Sequence, residues 1–337
     1  MDDGDHRQSR LFTADDGSFD ETRARNESLP VEDGEVVETD ELADHQTYLE
    51  GRGIYDERNR VNDLTGREWK FATKSVITEQ YPPDVQHDLR SEHGGQKPPR
   101  LCADLIERFS KTGDRVLDPF AGVGGTLLGA SFCEYEGTGR REAIGFEQTA
   151  RWIEVYETVL ERENAERRER GKPPLAEQDL RHGDCTDLIR DLDSASIDLL
   201  LTDVPYWHMD ELEQTRNERE TRESKLDSFD ETGQGTASEW NSKAAWLDDM
   251  GTWFDDFTTT VKPDGYVVVF IGDMYRDQSY EFLSADLARE IAAETTLTLK
   301  ANLVWYDPTK DLHVYGYPFS YVPSMVHQNV LVFRNDV

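Results

Sequence analysis

Apolar residues recur along this chain with two alternating periods. Short runs at residues 115–120 (RVLDPF), 143–147 (AIGFE), 179–184 (DLRHGD), 197–203 (IDLLLTD) and 266–272 (YVVVFIG) have the length and apolar content of strands. Between them the period changes to that of a helix. Leu101, Leu105, Ile106 and Phe109 share one stripe within 100–110, and Gly113 follows as a stop; Ile153, Tyr156, Val159 and Leu160 share another within 149–170, ended by Gly171 and Pro173. Two further strands are predicted at 297–306 and 329–334. Strands alternating with helices build a mostly parallel sheet covered on both faces. Two stretches break the pattern. Residues 208–242 are polar, charged and too poor in apolar positions for a core element, which predicts a surface loop or lid. Residues 307–323 carry Tyr315, Tyr317, Phe319 and Tyr321 with three prolines, which predicts an ordered loop.

Charge divides the chain further. The first 50 residues hold 16 acids against four arginines and no lysine, a net charge of −12, with no sustained periodicity. Such a segment cannot bury enough apolar area to offset its ordering entropy. A disordered acidic tail is therefore expected over 1–50, with one folded domain over 51–337 starting near Tyr55. The tail does not account for the whole net charge of −33, since −21 remains on the other residues. With only 10 lysines among 37 basic residues, this acidic composition resembles that of proteins from salt-accumulating haloarchaea and their viruses, where a Debye length of ~3 Å at 1 M salt makes self-repulsion tolerable. The same charge weakens the case for a nucleic-acid partner without excluding it, because phosphate contacts contribute little at molar salt. Cys102, Cys133 and Cys185 show no CxxC spacing and suggest neither disulfide nor metal site. No apolar run approaches the ~20 residues of a membrane span, and a soluble, cytoplasmic protein is expected.

Candidate chemistry sits at the strand ends. The first strand leaves through Ala121-Gly122-Val123-Gly124-Gly125, where a ligand can approach the backbone closely and the next helix offers unpaired N–H groups. Asp118, just before it, is a poor neighbour for a phosphate and a good one for the ammonium of a methionine moiety. Glu147 closes the second strand, where a carboxylate can accept both ribose hydroxyls of a nucleoside. Asp184 ends the third strand and is a candidate acceptor for an adenine amino group.

DPFAGVGGT, GFE, GD and TDVPYW, in this order and spacing, resemble motifs I to IV of the N4-cytosine/N6-adenine amino DNA methyltransferase family. Residues 93–109, HGGQKPPRLCADLIERF, resemble its motif X, which packs over the methionyl end of the cofactor; 62–76, NDLTGREWKFATKSV, resemble a leader of phage-like members that could contact DNA or the cofactor cleft. The resemblance covers about residues 55–334. It implies a Rossmann-like class I α/β fold with a seven-stranded, mostly parallel sheet, helices on both faces and an antiparallel C-terminal hairpin. It also implies S-adenosyl-L-methionine as cofactor, held by Lys97, Pro98, Asp118, Phe120, Ala121, Gly122, Gly124, Thr126, Glu147, Asp184 and Asp203. The implied substrate is double-stranded DNA, modified at a flipped base as in restriction-modification systems, with residues 208–242 available for target recognition.

The catalytic motif is also chemically coherent by itself. An exocyclic amine is a poor nucleophile because its lone pair is delocalised into the ring. Hydrogen bonds from it to the Asp203 carboxylate and to the carbonyl of Val204 or Pro205 would favour pyramidal nitrogen. Tyr206 and Trp207 would stack on the extruded base. Val204 departs from the proline usual at that position, and its β-branched side chain also favours extended backbone. Asp203 leans towards adenine N6 over cytosine N4. Two other readings remain: an RNA (tRNA) amino-methyltransferase, and a catalytically silent nucleic-acid-binding subunit of the same fold.

Overall fold

Each central strand of the sheet alternates its side chains between two apolar layers, and this period of two is what fixes its place. A computed structural model describes residues 42–207, 240–276, 278–308, 310–312, 314 and 316–336. It divides into two units, the first ending at Thr73 and the second comprising Lys74–Val337.

In the first unit, β1 (Gln46–Leu49) and β2 (Gly53–Asp56) form an antiparallel hairpin. Ordered structure thus starts before the expected Tyr55 and inside the expected tail, because Gly51 and Gly53 supply the positive φ angles, 76° and 108°, that turn the chain back. The rest of that tail, 1–41, lies outside the described residues. Helix α1 (Gly66–Ala72) follows. Thr65 and Glu68 form a reciprocal capping box at its start, and the Arg52 guanidinium grips Glu68 through two hydrogen bonds of 2.8 and 2.9 Å. The two units meet along the chain between Thr73 and Lys74, inside the 62–76 leader.

The second unit contains, in chain order, β3 (Val76–Ile77), α2 (His87–Arg90), α3 (Pro99–Phe109), β4 (Arg115–Asp118), α4 (Gly125–Glu136), β5 (Glu142–Glu147), α5 (Ala150–Glu169), β6 (Asp179–His182), α6 (Cys185–Leu188), β7 (Ile197–Asp203), α7 (Lys243–Thr258), β8 (Val261–Ile271), β9 (Met274–Arg276), β10 (Ser279–Glu281), α8 (Leu283–Glu294), β11 (Leu297–Tyr306) and β12 (His327–Asn335). Its main sheet has the order β3-β11-β12-β8-β7-β4-β5-β6. Strands β4 to β8 run parallel, while β12 is antiparallel to both β8 and β11. The expected class I sheet and its C-terminal hairpin are present, with one correction: the two residues of β3 add an eighth strand beside β11. They start at Val76, the last residue of the leader stretch, and the apolar pair Val76–Ile77 is too short to read as a strand without its partner.

Leu199, Leu201, Val268 and Phe270 face a layer built from α3, α4 and α5; Leu117, Leu200, Val267 and Val269 face the opposite layer, where Trp246, Phe254, Leu287 and Ile291 of α7 and α8 are fully buried. Burying a side chain of that size contributes about 2–3 kcal/mol. The end of the expected insertion belongs to this layer. Trp240 is buried with Nε1 donating to Asp249 (2.7 Å), and Ser242 caps α7. Residues 208–239, where a recognition loop or lid was expected, lie outside the described residues, as does Tyr315. Among the described residues no helix is long and apolar enough to cross a membrane.

Candidate active site

The strand order reverses between β4 and β7, so the loops leaving these two neighbours diverge to opposite sides and open a crevice at the carboxyl edge. Asp118 ends β4 and Asp203 ends β7. Both line the same cleft, together with Gly122, Glu147, Asp184 and Tyr206. The convergence expected from the motifs is present.

The loop after β4 explains its glycines. Gly122 takes φ +51° and its N–H donates to Glu147 Oε2 (2.9 Å); a Cβ there would stand 2.9 Å from His93 Nε2. Gly124, at φ +74°, does not line the cleft. A Cβ on it would come within 2.3 Å of the Tyr156 ring, so this glycine packs the loop against α5. Phe120, Ala121 and Thr126 line the cleft as expected. Of the motif X pair, Lys97 lines it and Pro98 does not: Pro98 occupies the position before the first residue of α3, whose Pro99 start it sets up.

Each carboxylate is held by local donors. Asp118 accepts from Thr202 Oγ (2.6 Å) and from the Phe120 N–H (3.1 Å), and burial raises its carboxyl to about 6. Glu147 takes one backbone donor on each oxygen, Gly122 and Thr149 (2.7 Å), with the Thr149 hydroxyl as a further donor. Burial raises its pKa as well. Asp184 caps α6, Oδ1 accepting from the N–H (2.8 Å) and hydroxyl (2.6 Å) of Thr186. Cys185 also lines the cleft, but burial pushes its thiol up to about 12, so it is no thiolate nucleophile near neutral pH.

Around Asp203 the network is dense. Its Oδ2 forms an ion pair with Lys97 Nζ, and Oδ1 accepts from Tyr206 Oη (3.1 Å). Burial raises Asp203 while the Lys97 charge opposes the rise. The Tyr206 hydroxyl also accepts from the Gly272 N–H and from Gln328 Nε2, each at 3.1 Å, and its pKa lies well above the ordinary value, chiefly through burial. Tyr206 is thus a neutral, clamped ring at the cleft. Trp207, paired with it for stacking, does not line the cleft; the Arg276 guanidinium lies 4.7 Å from its ring centroid. The Pro205 carbonyl is occupied by Trp246 Nε1 (2.9 Å).

The lining residues that were not anticipated include His93, Gln96 and Trp152. His93 and Trp152 meet edge to face at 5.0 Å, and Gln96 buries a side-chain carbonyl without a hydrogen-bond donor among the described residues. His93 and Gln96 lie within the motif X stretch, a signal that could have found them; nothing in the sequence around Trp152 marks it. Burial lowers His93 to about 4, with Lys97 and Arg90 adding to the effect.

The opposed shifts of His93 and Asp118 predict a masked pH dependence. Unfolded, His93 takes its proton near 6.5, but folded only near 4, so its contribution to stability is present above 6.5 and lost as pH falls towards 4. Asp118 acts oppositely: folded, it takes its proton near 6, unfolded near 3.8, so stability grows as pH falls through that window. Asp118→Asn should therefore lose more stability than wild type between pH 7 and 5, by about 1–2 kcal/mol in urea unfolding. A variant whose pH dependence parallels the wild type would refute the assignment.

The donor set fits S-adenosyl-L-methionine. Asp118 and the orphaned Gln96 carbonyl suit an ammonium, Glu147 a pair of ribose hydroxyls, and Asp184 an amino group at the far end. The same three carboxylates would repel the phosphates of a dinucleotide.

Residues 38–158 match the family model described as DNA methylase, about a third of the chain, ending before Asp184 and Asp203. No curated protein matches. Among solved structures the chain is similar to TrmN from Thermus thermophilus (15% identity, 73% of this chain and 52% of that one, TM-score 0.40), to a methyltransferase from Pyrococcus furiosus (11%, 72% and 84%, 0.39) and to an S-adenosylmethionine-dependent methyltransferase from Methanosarcina mazei (10%, 68% and 96%, 0.40). The chain spans about half the length of the TrmN structure. At these identities and scores the likenesses bear on neither reaction nor substrate.

Proposed function

We propose that this protein is a cytoplasmic DNA methyltransferase that modifies the exocyclic amino group of a base removed from the duplex, adenine N6 in preference to cytosine N4. The observation that carries this reading is the shared cleft, with the acceptors for a methionyl nucleoside at or just past the ends of β4, β5 and β6 and the Asp203–Tyr206 segment at the end of the neighbouring β7.

S-adenosylmethionine, when bound, supplies an electrophilic methyl group; Asp118 and Gln96 would hold its amino-acid end and Glu147 its ribose. Asp203 accepts a hydrogen bond from the target amino group. Each of its oxygens already has one partner and keeps a lone pair for this purpose. The Lys97 charge opposes the rise that burial imposes on this carboxylate. The Pro205 carbonyl already accepts from Trp246, so the Val204 carbonyl is the less encumbered second acceptor. A proline at 204 would offer that same carbonyl, so valine does not remove the acceptor. Tyr206 presents a fixed ring for the base. Its three hydrogen bonds hold the ring in place before the base arrives, which lowers the cost of ordering it.

The test is transfer of labelled methyl to duplex DNA and to tRNA, followed by identification of the modified base, with S-adenosylmethionine binding measured alongside. N6-methyladenine in DNA is expected. Methyl in tRNA alone, or binding without transfer to either, would replace this reading.

The acidic surface further suggests an enzyme adapted to molar salt. Its melting temperature should rise by at least about 10 °C from low salt to molar KCl, as self-repulsion is screened. A fall over the same range would end the halophilic reading.

A further inference from the structure

Between β11 and β12 the chain makes a projecting loop whose large apolar side chains face water. Leu312, Val314, Tyr317, Phe319 and Tyr321 are 77, 81, 78, 94 and 89% exposed. Single exposed apolar residues need no explanation, but five within ten positions form a patch that has a partner or a cost. The loop is built rather than slack. Its neck is closed by Asp307 N–H donating to the Val326 carbonyl (2.9 Å), and its tip turns at Gly316, whose carbonyl accepts from both Phe319 (2.7 Å) and Ser320 (2.8 Å). Gly316 has φ +71°, and a Cβ there would come within 2.4 Å of Ser320 Oγ, so only glycine permits this turn.

Two independent features say what covers the patch. The first is charge. From Leu312 to Val326 there is no acidic residue, in a chain with 70 acids among 337 residues, while the approach carries Lys310 between Asp307 and Asp311. A surface that is acidic elsewhere is thus cleared of carboxylates where the aromatics are displayed, which suits a polyanion with stackable faces. The second is position. β12 is antiparallel to β8 with Asn329 opposite Ile271, so the loop enters β12 at the carboxyl edge of the sheet. There Gln328 bonds the Tyr206 hydroxyl, and Lys310 lies within electrostatic reach of Asp203 and Lys97.

We propose that Leu312, Val314 and residues 316–326 form the surface on which this protein holds DNA beside the target base, with Tyr317, Phe319 and Tyr321 stacking on bases exposed when the target leaves the duplex. The assignment rests on the amino-methyltransferase reading of the cleft. Aromatic rings carry base contacts without depending on phosphate neutralisation, the contact best suited to a protein of net charge −33.

The experiment compares wild type with the triple variant Tyr317→Ala, Phe319→Ala, Tyr321→Ala and with the double variant Tyr317→Phe, Tyr321→Phe. It measures fluorescence anisotropy of a labelled duplex, S-adenosylmethionine affinity, KM for DNA, and sedimentation. All three side chains are exposed, so unchanged melting curves are the check on folding. The triple variant should bind DNA at least tenfold more weakly, about tenfold being the effect of one stacked ring, and raise KM for DNA with cofactor affinity unchanged. The double variant should bind like wild type. Undiminished DNA affinity in the triple variant, or a change of oligomeric state with DNA affinity intact, would overturn the assignment while leaving the cleft reading in place. Wild-type protein that neither binds nor methylates DNA would overturn that reading and the loop assignment together.

Discussion

Replacing Asp203 with alanine should lower methyl transfer at least about 10³-fold while S-adenosylmethionine affinity stays within about threefold of wild type. The carboxylate stands at the tip of β7 in the cleft, with Lys97 on one oxygen and the Tyr206 hydroxyl on the other. Its proposed partner is the target amino group, so its loss removes an interaction made by the substrate and not by the cofactor. The same change leaves the Lys97 ammonium without its carboxylate in a largely buried setting, which should cost about 1–3 kcal/mol of stability, less than for a fully enclosed pair. Asp203→Asn keeps the volume and one acceptor, and the double variant Asp203→Ala, Lys97→Met removes both charges. The double variant should regain most of the lost stability and none of the activity. That separation of fold from chemistry is the informative result. If cofactor affinity falls in parallel with turnover, Asp203 serves the cofactor and has been assigned the wrong role.

Gly122→Val should reduce S-adenosylmethionine affinity at least about 100-fold, through two effects with one origin. At φ +51° the backbone of residue 122 is where a β-branched side chain is strained, and its Cβ would lie 2.9 Å from the His93 ring. Either the loop moves, breaking the Gly122 hydrogen bond to Glu147 Oε2, or His93 is driven from Trp152. Both outcomes disturb groups lining the cleft. Gly122→Ala combined with His93→Ala removes the collision and keeps part of the backbone strain, so it should recover a large part of the affinity, read by calorimetric titration. Full affinity in Gly122→Val would mean that the loop does not bound the ligand. Gly124 provides the contrast: substitution there collides with Tyr156 in the core and should lower stability before it touches binding.

How much of this was readable in advance depends on whether a feature is local. The strands 197–203 and 297–306 were recovered without error because an unbroken apolar run, or one alternating in period two, has one way to sit in a covered sheet. The acids at strand ends were legible for the same reason, since a strand tip in such a sheet points to the ligand edge. What failed needed partners distant in sequence. Val76–Ile77 becomes a strand only beside Val304–Trp305. Gly124 and Gly122 look alike in a glycine-rich run, and only the position of Tyr156 and His93 separates packing from lining. Trp207 reads as Tyr206's twin, yet the partners that separate them, Gly272 and Gln328 on the Tyr206 hydroxyl and Arg276 on the Trp207 ring, come from distant segments.

The sequence by itself therefore determined the order of the main elements, the α/β class and the placing of Asp118, Glu147, Asp184, Asp203 and Tyr206 at one edge of the sheet, because periodicity and motif spacing are properties of the chain. Tertiary structure alone decided that Lys97 reaches Asp203 across 106 positions, that Trp246 takes the Pro205 carbonyl across 41, and that the aromatic loop stands beside the cleft. Contacts of that separation are set by how layers pack against the sheet, and no local pattern encodes the distance between two side chains that meet only after it has formed.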